Sequence, residues 1–390
     1  MTRTLLIAAA LSALAASAAH AQSDSIFAVN SAGTNLLRLN TDAGLVVRGT
    51  ASTGDIPATG EGVRMMWFPA RWAFRAGKVD SFGSTYWDLS NVGSGSAAFG
   101  ENTRARGNNS FATGLTTVAS GNESIALGNS GTASGERALA FNGTASAVGA
   151  VAIGSGAQAT NDDAIAMGPS SIAGGLASIV LGPSIANGNF GVAIGLQNSA
   201  SGQFSIAIGK NARTANRQGS VVLGDGCAGF SSDSVYPTAN NQFVARGCGG
   251  IRFFTTQNLS SGVEVAAGGG SWSSVSDRNR KENFLAFGGE EVLMRLRSVP
   301  VTTWNYKTQD RSIRHMGPTA QDFRAAFGLG ESELLINTVD IDGVNLAAVK
   351  ALEARSTAQQ ARISELEARN AALEQRLARL EALVAGAARQ

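Results

Sequence analysis

Phe111-Ala112-Thr113-Gly114 is followed by Ile125-Ala126-Leu127-Gly128, and the tetrad apolar-small-apolar-Gly then keeps returning. It reappears as Val151-Ala152-Ile153-Gly154, Ile165-Ala166-Met167-Gly168, Ile179-Val180-Leu181-Gly182, Val192-Ala193-Ile194-Gly195 and Ile206-Ala207-Ile208-Gly209. The closing glycines Gly100, Gly114 and Gly128 stand 14 apart, as do Gly154, Gly168 and Gly182. Asn142 occupies one glycine position, and the step from it to Gly154 shortens to 12. A second set, Gly107, Gly121 and Gly135, falls midway with the same period. Internal repetition at this spacing is the signature of a solenoid.

Residues two apart on a strand share a face, so Ile125 and Leu127 point one way while Ser124 and Ala126 point the other. A strand of four or five residues cannot bury its apolar side alone, and stacking successive turns is expected to bury it. Ala on the second face lets another surface approach closely. The glycines are expected to supply the left-handed corners that turn the chain every seven residues.

Composition agrees with such an architecture. Among 390 residues there are 48 Gly but only 7 Pro, with 6% aromatic and 15% charged residues. Gly without a Gly-X-Y period excludes collagen, and so few aromatics cannot fill several conventional cores. The formal net charge of +2 gives nucleic-acid binding no electrostatic support.

Outward from the repeats, the N-terminus carries three parts of a secretory signal: Arg3, the apolar run Leu5 to Ala19, and the small-x-small site Ala19-His20-Ala21. Cleavage is expected after Ala21, leaving no membrane-spanning helix. Residues 22–60 contain short alternating runs and read as a small β segment. Val63 to Phe68 and Arg71 to Arg75 concentrate aromatics, as a cap over the open end of a solenoid or as a glycan platform would.

After the repeats, Asn241 to Arg246 and Gly250 to Phe254 read as a closing hairpin, and Ala266 to Ser274 as a Gly/Ser linker. In an exported chain Cys227 and Cys248, the only cysteines, are expected to form a disulfide. Neither a metal site nor a cofactor is expected, since the mature chain keeps one histidine and shows no phosphate-binding glycine motif. Charge then rises abruptly at Ser276-Asp277-Arg278-Asn279-Arg280-Lys281. From Val349 onward a heptad runs to the end, with Val349, Ser356, Ile363, Asn370, Leu377 and Val384 at one seam position and Leu352, Gln359, Leu366, Leu373 and Leu380 at the other.

The repeats from Asn91 to Gly224 resemble the head repeats of trimeric autotransporter adhesins. That resemblance implies a parallel β-roll in each chain and three rolls packed together. No C-terminal run of alternating strands follows to build a translocator barrel. The C-terminal part resembles the endosialidase-type intramolecular chaperone of phage tail spikes and fibres. The resemblance rests on the Ser-Asp-x-x-x-Lys opening, Trp304-Asn305-Tyr306, the His315-Met316-Gly317-Pro318-Thr319-Ala320-Gln321 helix entry, and the passage from Asp342-Gly343 into a helix. It implies a domain that drives trimer assembly and then cuts itself off between Val275 and Ser276. It assigns Ser276 as nucleophile and Lys281 as its activating partner, with Asp277 and His315 as candidates for orienting them. A lysine can take the serine proton when burial, or cations such as Arg278 and Arg280, favour its neutral form.

The expected fold is therefore mainly β: a Gly-rich parallel β-roll forming a trimer, then a small α+β chaperone domain and a C-terminal α-helical coiled coil. The expected divisions are a signal peptide over 1–21, an N-terminal β segment and cap over 22–90, and the roll over 91–226. A closing hairpin over 227–265, a linker over 266–275, the chaperone over 276–348 and the coiled coil over 349–390 follow. The expected function is that of an exported trimeric fibre acting once as a serine autoprotease on its own chain. The alternative is a surface adhesin binding glycan or matrix, with the chaperone retained as a cap.

Overall fold

The computed structural model describes residues 27–29, 35–39, 45–227 and 233–388, so the expected signal peptide lies outside the described residues. The chain divides into Met1–Gly249 and Gly250–Gln390. None of the described helices is long and apolar enough to cross a membrane.

The first unit is a β-solenoid. Its long sheet has 13 strands, from the antiparallel pair Gly62–Phe68 and Ala73–Val79, through Ala97–Glu101 and Phe111–Leu115, to Val221–Gly224 and Phe243–Ala245. From Ala73–Val79 onward every neighbour in it is parallel. Facing it is a parallel sheet of 8 two-residue strands, from Arg104–Ala105 to Ser199–Ala200. Each repeat donates one strand to each sheet, and equivalent residues stay in register: Ala98, Ala112, Ala126 and Ala140 form one column.

Which face turns inward differs from the expectation. The alanine side is the core: Ala112, Ala126 and Ala152 of the long sheet and Ala119, Ala133 and Ala159 of the short one are fully buried. The larger apolar side chains point outward, leaving Ile125 at 40% and Phe141 at 42% exposure. The reason is width. Two sheets joined by corners of so few residues lie too close for a second layer of Ile or Leu, and methyl groups fill that gap at native density.

The corners also differ. Positive φ at the closing glycines is as expected, from 87° at Gly128 to 127° at Gly154, but non-glycines share the corners, among them Asn109, Thr116, Glu123, Ser130 and Arg137 with φ between 53° and 59°. Asn142, the residue in a glycine's place, also adopts φ 54°, and its side-chain carbonyl accepts from the backbone N–H of Asn129 at 2.6 Å. Asn tolerates that region because its short side chain bonds locally. The second set of glycines serves close approach: a Cβ on Gly107 would lie 1.8 Å from the carbonyl oxygen of Gly121. Inside the corners the hydroxyls of Ser110 and Ser124 donate to the carbonyls of Gly107 and Gly121, both at 2.6 Å.

At the N-terminal end, Met66, Phe68, Val79 and Trp87 are buried, and Trp87 Nε1 donates to the Thr103 carbonyl at 2.9 Å. Arg75 pairs in register with Ala98, so a guanidinium stands where every later turn has alanine or valine. It is 1% exposed and donates to the carbonyls of Ser96 at 3.0 Å and Ala105 at 2.9 Å. Burial pulls its pKa down to about 10.

The expected closing hairpin does not form as read. Phe243–Ala245 joins the long sheet as its last strand, parallel to Val221–Gly224. Ile251–Phe254 pairs antiparallel with Gly262–Val265 instead. Cys227 and Cys248 form a disulfide with Cα atoms 6.3 Å apart. Beside it Asp225 accepts from Arg246 Nε at 2.8 Å and from the Cys248 N–H at 2.6 Å. Both ties join the exits of the last two roll strands, and so hold Phe243–Ala245 in line with the roll.

The second unit opens with a three-stranded antiparallel sheet of Ile251–Phe254, Gly262–Val265 and Ser273–Ser274, so part of the expected linker is a strand. Three helices follow: α1 (Gly289–Arg297), α2 (Ala320–Phe327) and α3 (Thr338–Ala387). Val292, Phe323, Phe327, Val344 and Ala348 form their shared core. The Thr319 side chain caps α2 by accepting from the Asp322 N–H, and Gly328 ends it at φ 68°. Thr302–Trp304 and His315–Gly317 make a separate two-stranded sheet.

Candidate functional site

The segment around Ser276 is held on both sides. Ahead of it, Ser274 pairs with Val263, Ser273 pairs with Glu264, and the Val275 N–H donates to the Gly262 carbonyl at 3.1 Å. The residues before the expected cut are thus the edge of a sheet, with their backbone fixed by a ladder.

Behind it, Asp277 starts a tight turn over Arg278–Arg280. Its backbone is extended, its Oδ1 accepts from the Asn279 N–H at 2.9 Å, and its carbonyl accepts from the Arg280 N–H at 3.1 Å. An Asp at this position satisfies a donor that the turn leaves free, as at a helix N-terminus. The Lys281 N–H closes the turn on the Arg278 carbonyl at 3.2 Å. Chain reversal brings Lys281 Nζ to 2.7 Å from Ser276 Oγ, to which it donates. A separation of five residues becomes direct contact because the turn lies between.

Of the four residues expected at the site, the structure brings Ser276 and Lys281 together. Asp277 is occupied as the turn's cap and lies 3.7 Å from Arg280 Nε through Oδ2. His315 sits elsewhere in the same unit: its Nε2 is 2.9 Å from Gln309 Oε1, and its ring lies 4.9 Å from that of Trp304 and 5.5 Å from that of Tyr306. Ser276 and Lys281 are exposed in the single chain.

One contact at the site has no counterpart in the sequence reading. Arg280 Nη1 donates to the Leu259 carbonyl at 2.6 Å, reaching back 21 residues to the tip of the preceding hairpin. No periodicity or motif announces a bond to a main-chain carbonyl at that distance. Arg252, Phe254, Leu259 and Val275 line an open depression beside Ser276. Farther up the chain, Asp225, Cys227 and Cys248 cluster as metal ligands could, but the disulfide leaves neither sulfur as a thiolate.

Comparison with known families agrees with this division. Residues 276–328 match the family described as chaperone of endosialidase, beginning at the serine whose hydroxyl meets Lys281. Residues 92–115, 119–141, 145–171, 159–184 and 186–212 match the YadA head domain repeat. No curated protein matches the chain. The two matches fall on the solenoid and on the segment opened by the Ser276–Lys281 pair, so the chain joins YadA-type head repeats to a chaperone-of-endosialidase segment.

Proposed function

We propose that this chain is an exported, trimeric, fibre-like protein whose C-terminal segment promotes assembly and then cuts once between Val275 and Ser276. The observation that carries the reading is the 2.7 Å contact between Lys281 Nζ and Ser276 Oγ at the first residue of the chaperone match.

The chemistry is intramolecular. Lys281, as free amine, accepts the Ser276 Oγ proton, and Oγ attacks the Val275 carbonyl carbon. The Val275–Ser276 amide bond breaks, an ester to Oγ forms, and Lys281 returns the proton to the departing α-amine. Water then hydrolyses the ester, leaving a Val275 carboxylate and a free Ser276 hydroxyl. Because nucleophile and bond share one chain, an effective molarity on the order of 10⁵ M can replace a substrate pocket.

The outward apolar columns support the trimer. Phe111, Ile125, Leu139 and Val151 form one column and Leu127, Phe141, Ile153 and Met167 the next, unbroken over successive turns. An apolar stripe of that length on a soluble fibre calls for a partner surface. The α3 seam adds to it: Ile363, Leu366, Leu373, Leu377 and Leu380 are between 41% and 58% exposed in the single chain. Family membership of the head repeats supports a surface or secreted location.

The test expresses residues 22–390 beside a Ser276→Ala variant, read by denaturing mass analysis and by size in solution. The reading expects a wild-type piece ending at Val275, a separate C-terminal piece, and an intact trimeric variant. If both stay whole yet trimeric, the segment is a retained assembly cap and Ser276 and Lys281 lose their roles.

A further inference from the structure

We propose that Arg280 is a positioning residue for self-cleavage, clamping the turn that carries Ser276 and Lys281 onto the hairpin that fixes the other side of the cut. The inference rests on the cleavage reading above.

The bond to be cut joins two separately anchored pieces. Residues 273–275 are anchored by main-chain pairing to Val263, Glu264 and Gly262. Ser276 to Lys281 is a turn whose internal hydrogen bonds set its shape but not its place relative to that sheet. Among the described residues, one hydrogen bond links the stretch 250–275 to anything after it: Arg280 Nη1 to the Leu259 carbonyl, 2.6 Å. The same guanidinium lies 3.7 Å from Asp277 through Nε. It therefore touches the residue after the nucleophile and directly precedes the base.

The physical consequence is a constraint on rotation. Attack requires Ser276 Oγ to approach the carbonyl of Val275 while Lys281 stays within hydrogen-bond reach. Both conditions involve rotation about the backbone between the sheet edge and the turn. A guanidinium suits this role because its planar fork holds two partners in fixed directions. The carbonyl it grips lies at the hairpin tip, so the lever arm is the full hairpin rather than the labile link itself. After the cut the clamp is, among the described residues of one chain, the single hydrogen bond left between the two pieces. Exposed to water, it would hold the C-terminal piece only weakly, consistent with release.

The test compares wild type, Arg280→Ala, Arg280→Met and Arg280→Lys in the chain 22–390, with Ser276→Ala as the uncut control. Single-turnover cleavage is followed by mass across a pH series, with circular dichroism and size confirming assembly. Positioning predicts that alanine and methionine slow cleavage by about 10- to 100-fold, since a misplacement near 1 Å costs that much. The midpoint of the pH–rate curve stays at the wild-type value, and lysine, which keeps a donor, recovers much of the rate. Free guanidinium at millimolar concentration gives no rescue, because an untethered ion cannot hold the turn.

Wild-type rates in assembled Arg280→Ala and Arg280→Met would overturn the proposal while leaving cleavage itself intact. A shifted pH midpoint, or rescue by free guanidinium, would overturn it in favour of an electrostatic role for the charge. Should alanine prevent assembly, methionine decides, because it keeps the aliphatic stem and lacks only the donor. A wild-type chain that remains whole would remove the cleavage reading and this inference together.

Discussion

Gly209→Ala tests whether the solenoid needs glycine for space between turns rather than for backbone freedom. Gly209 has φ 102°, and a Cβ there would stand 1.8 Å from the carbonyl oxygen of Gly224 on the next turn. Gly156 also has a left-handed φ, 71°, but its nearest neighbour, Ser170 Oγ, would be 3.7 Å away. Alanine in left-handed backbone costs about 1–2 kcal/mol at either position. At Gly209 the two turns must additionally move apart by more than an ångström, since an ordinary carbon–oxygen contact is about 3.3–3.6 Å. That displacement opens the ladder between Ile206–Lys210 and Val221–Gly224, where Gly209 pairs with Gly224. Losing about two buried backbone hydrogen bonds at roughly 1–3 kcal/mol each brings the total to about 3–8 kcal/mol. Denaturant unfolding of the Ser276→Ala chain, followed by circular dichroism, measures both variants against one uncut reference. Gly156→Ala should lose no more than about 2 kcal/mol, and Gly209→Ala at least about 2 kcal/mol beyond that. Equal losses would mean that backbone conformation alone explains the glycines, and the close-approach argument would be wrong.

Arg75→Ala removes the guanidinium from the end of the alanine bore and should lower stability by about 2–4 kcal/mol, while Arg75→Met, which fills the space without a charge, should lose less; thermal unfolding of the two separates the cavity from the lost hydrogen bonds. Asp225 is held below the ordinary Asp value of 3.8, first by the Cys248 N–H and also by Arg246. A depressed carboxylate contributes stability above its unfolded pKa and loses it as pH falls through the folded one. The unfolding midpoint should therefore drop below pH 3.8, and Asp225→Asn should flatten that limb. Charging the seam with Leu373→Asp and Leu377→Asp should break the assembly into monomers in sedimentation, while α1 and α2 keep their core, because both leucines are exposed in the single chain.

The roll was legible because its repeat is local: the 14-residue period sets strand length and register without knowledge of any distant contact. Ser276 and Lys281 were legible only through the resemblance of the Ser-Asp-x-x-x-Lys opening, because a serine five residues before a lysine marks nothing by itself; the tight turn between them is what makes the contact. Asp277 and His315 were less so. A carboxylate can cap a turn or orient a base, and sequence order does not decide between the two. The pairing of Ile251–Phe254 with Gly262–Val265 was missed because strand pattern identifies strands and not their partners.

The sequence by itself determined the two-faced alternation, the turn length, the spacing of the Ser–Lys pair and the heptad of the last helix. All follow from covalent neighbours and from the periods 2, 7 and 14. Only the tertiary structure decided that the alanines face inward and the isoleucines outward. Alternation defines two faces, but which one is buried depends on how closely the opposite sheet approaches. It also decided the partners of Arg75, Asp225 and Arg280, whose hydrogen bonds reach across 21 residues or more to groups that no local pattern marks.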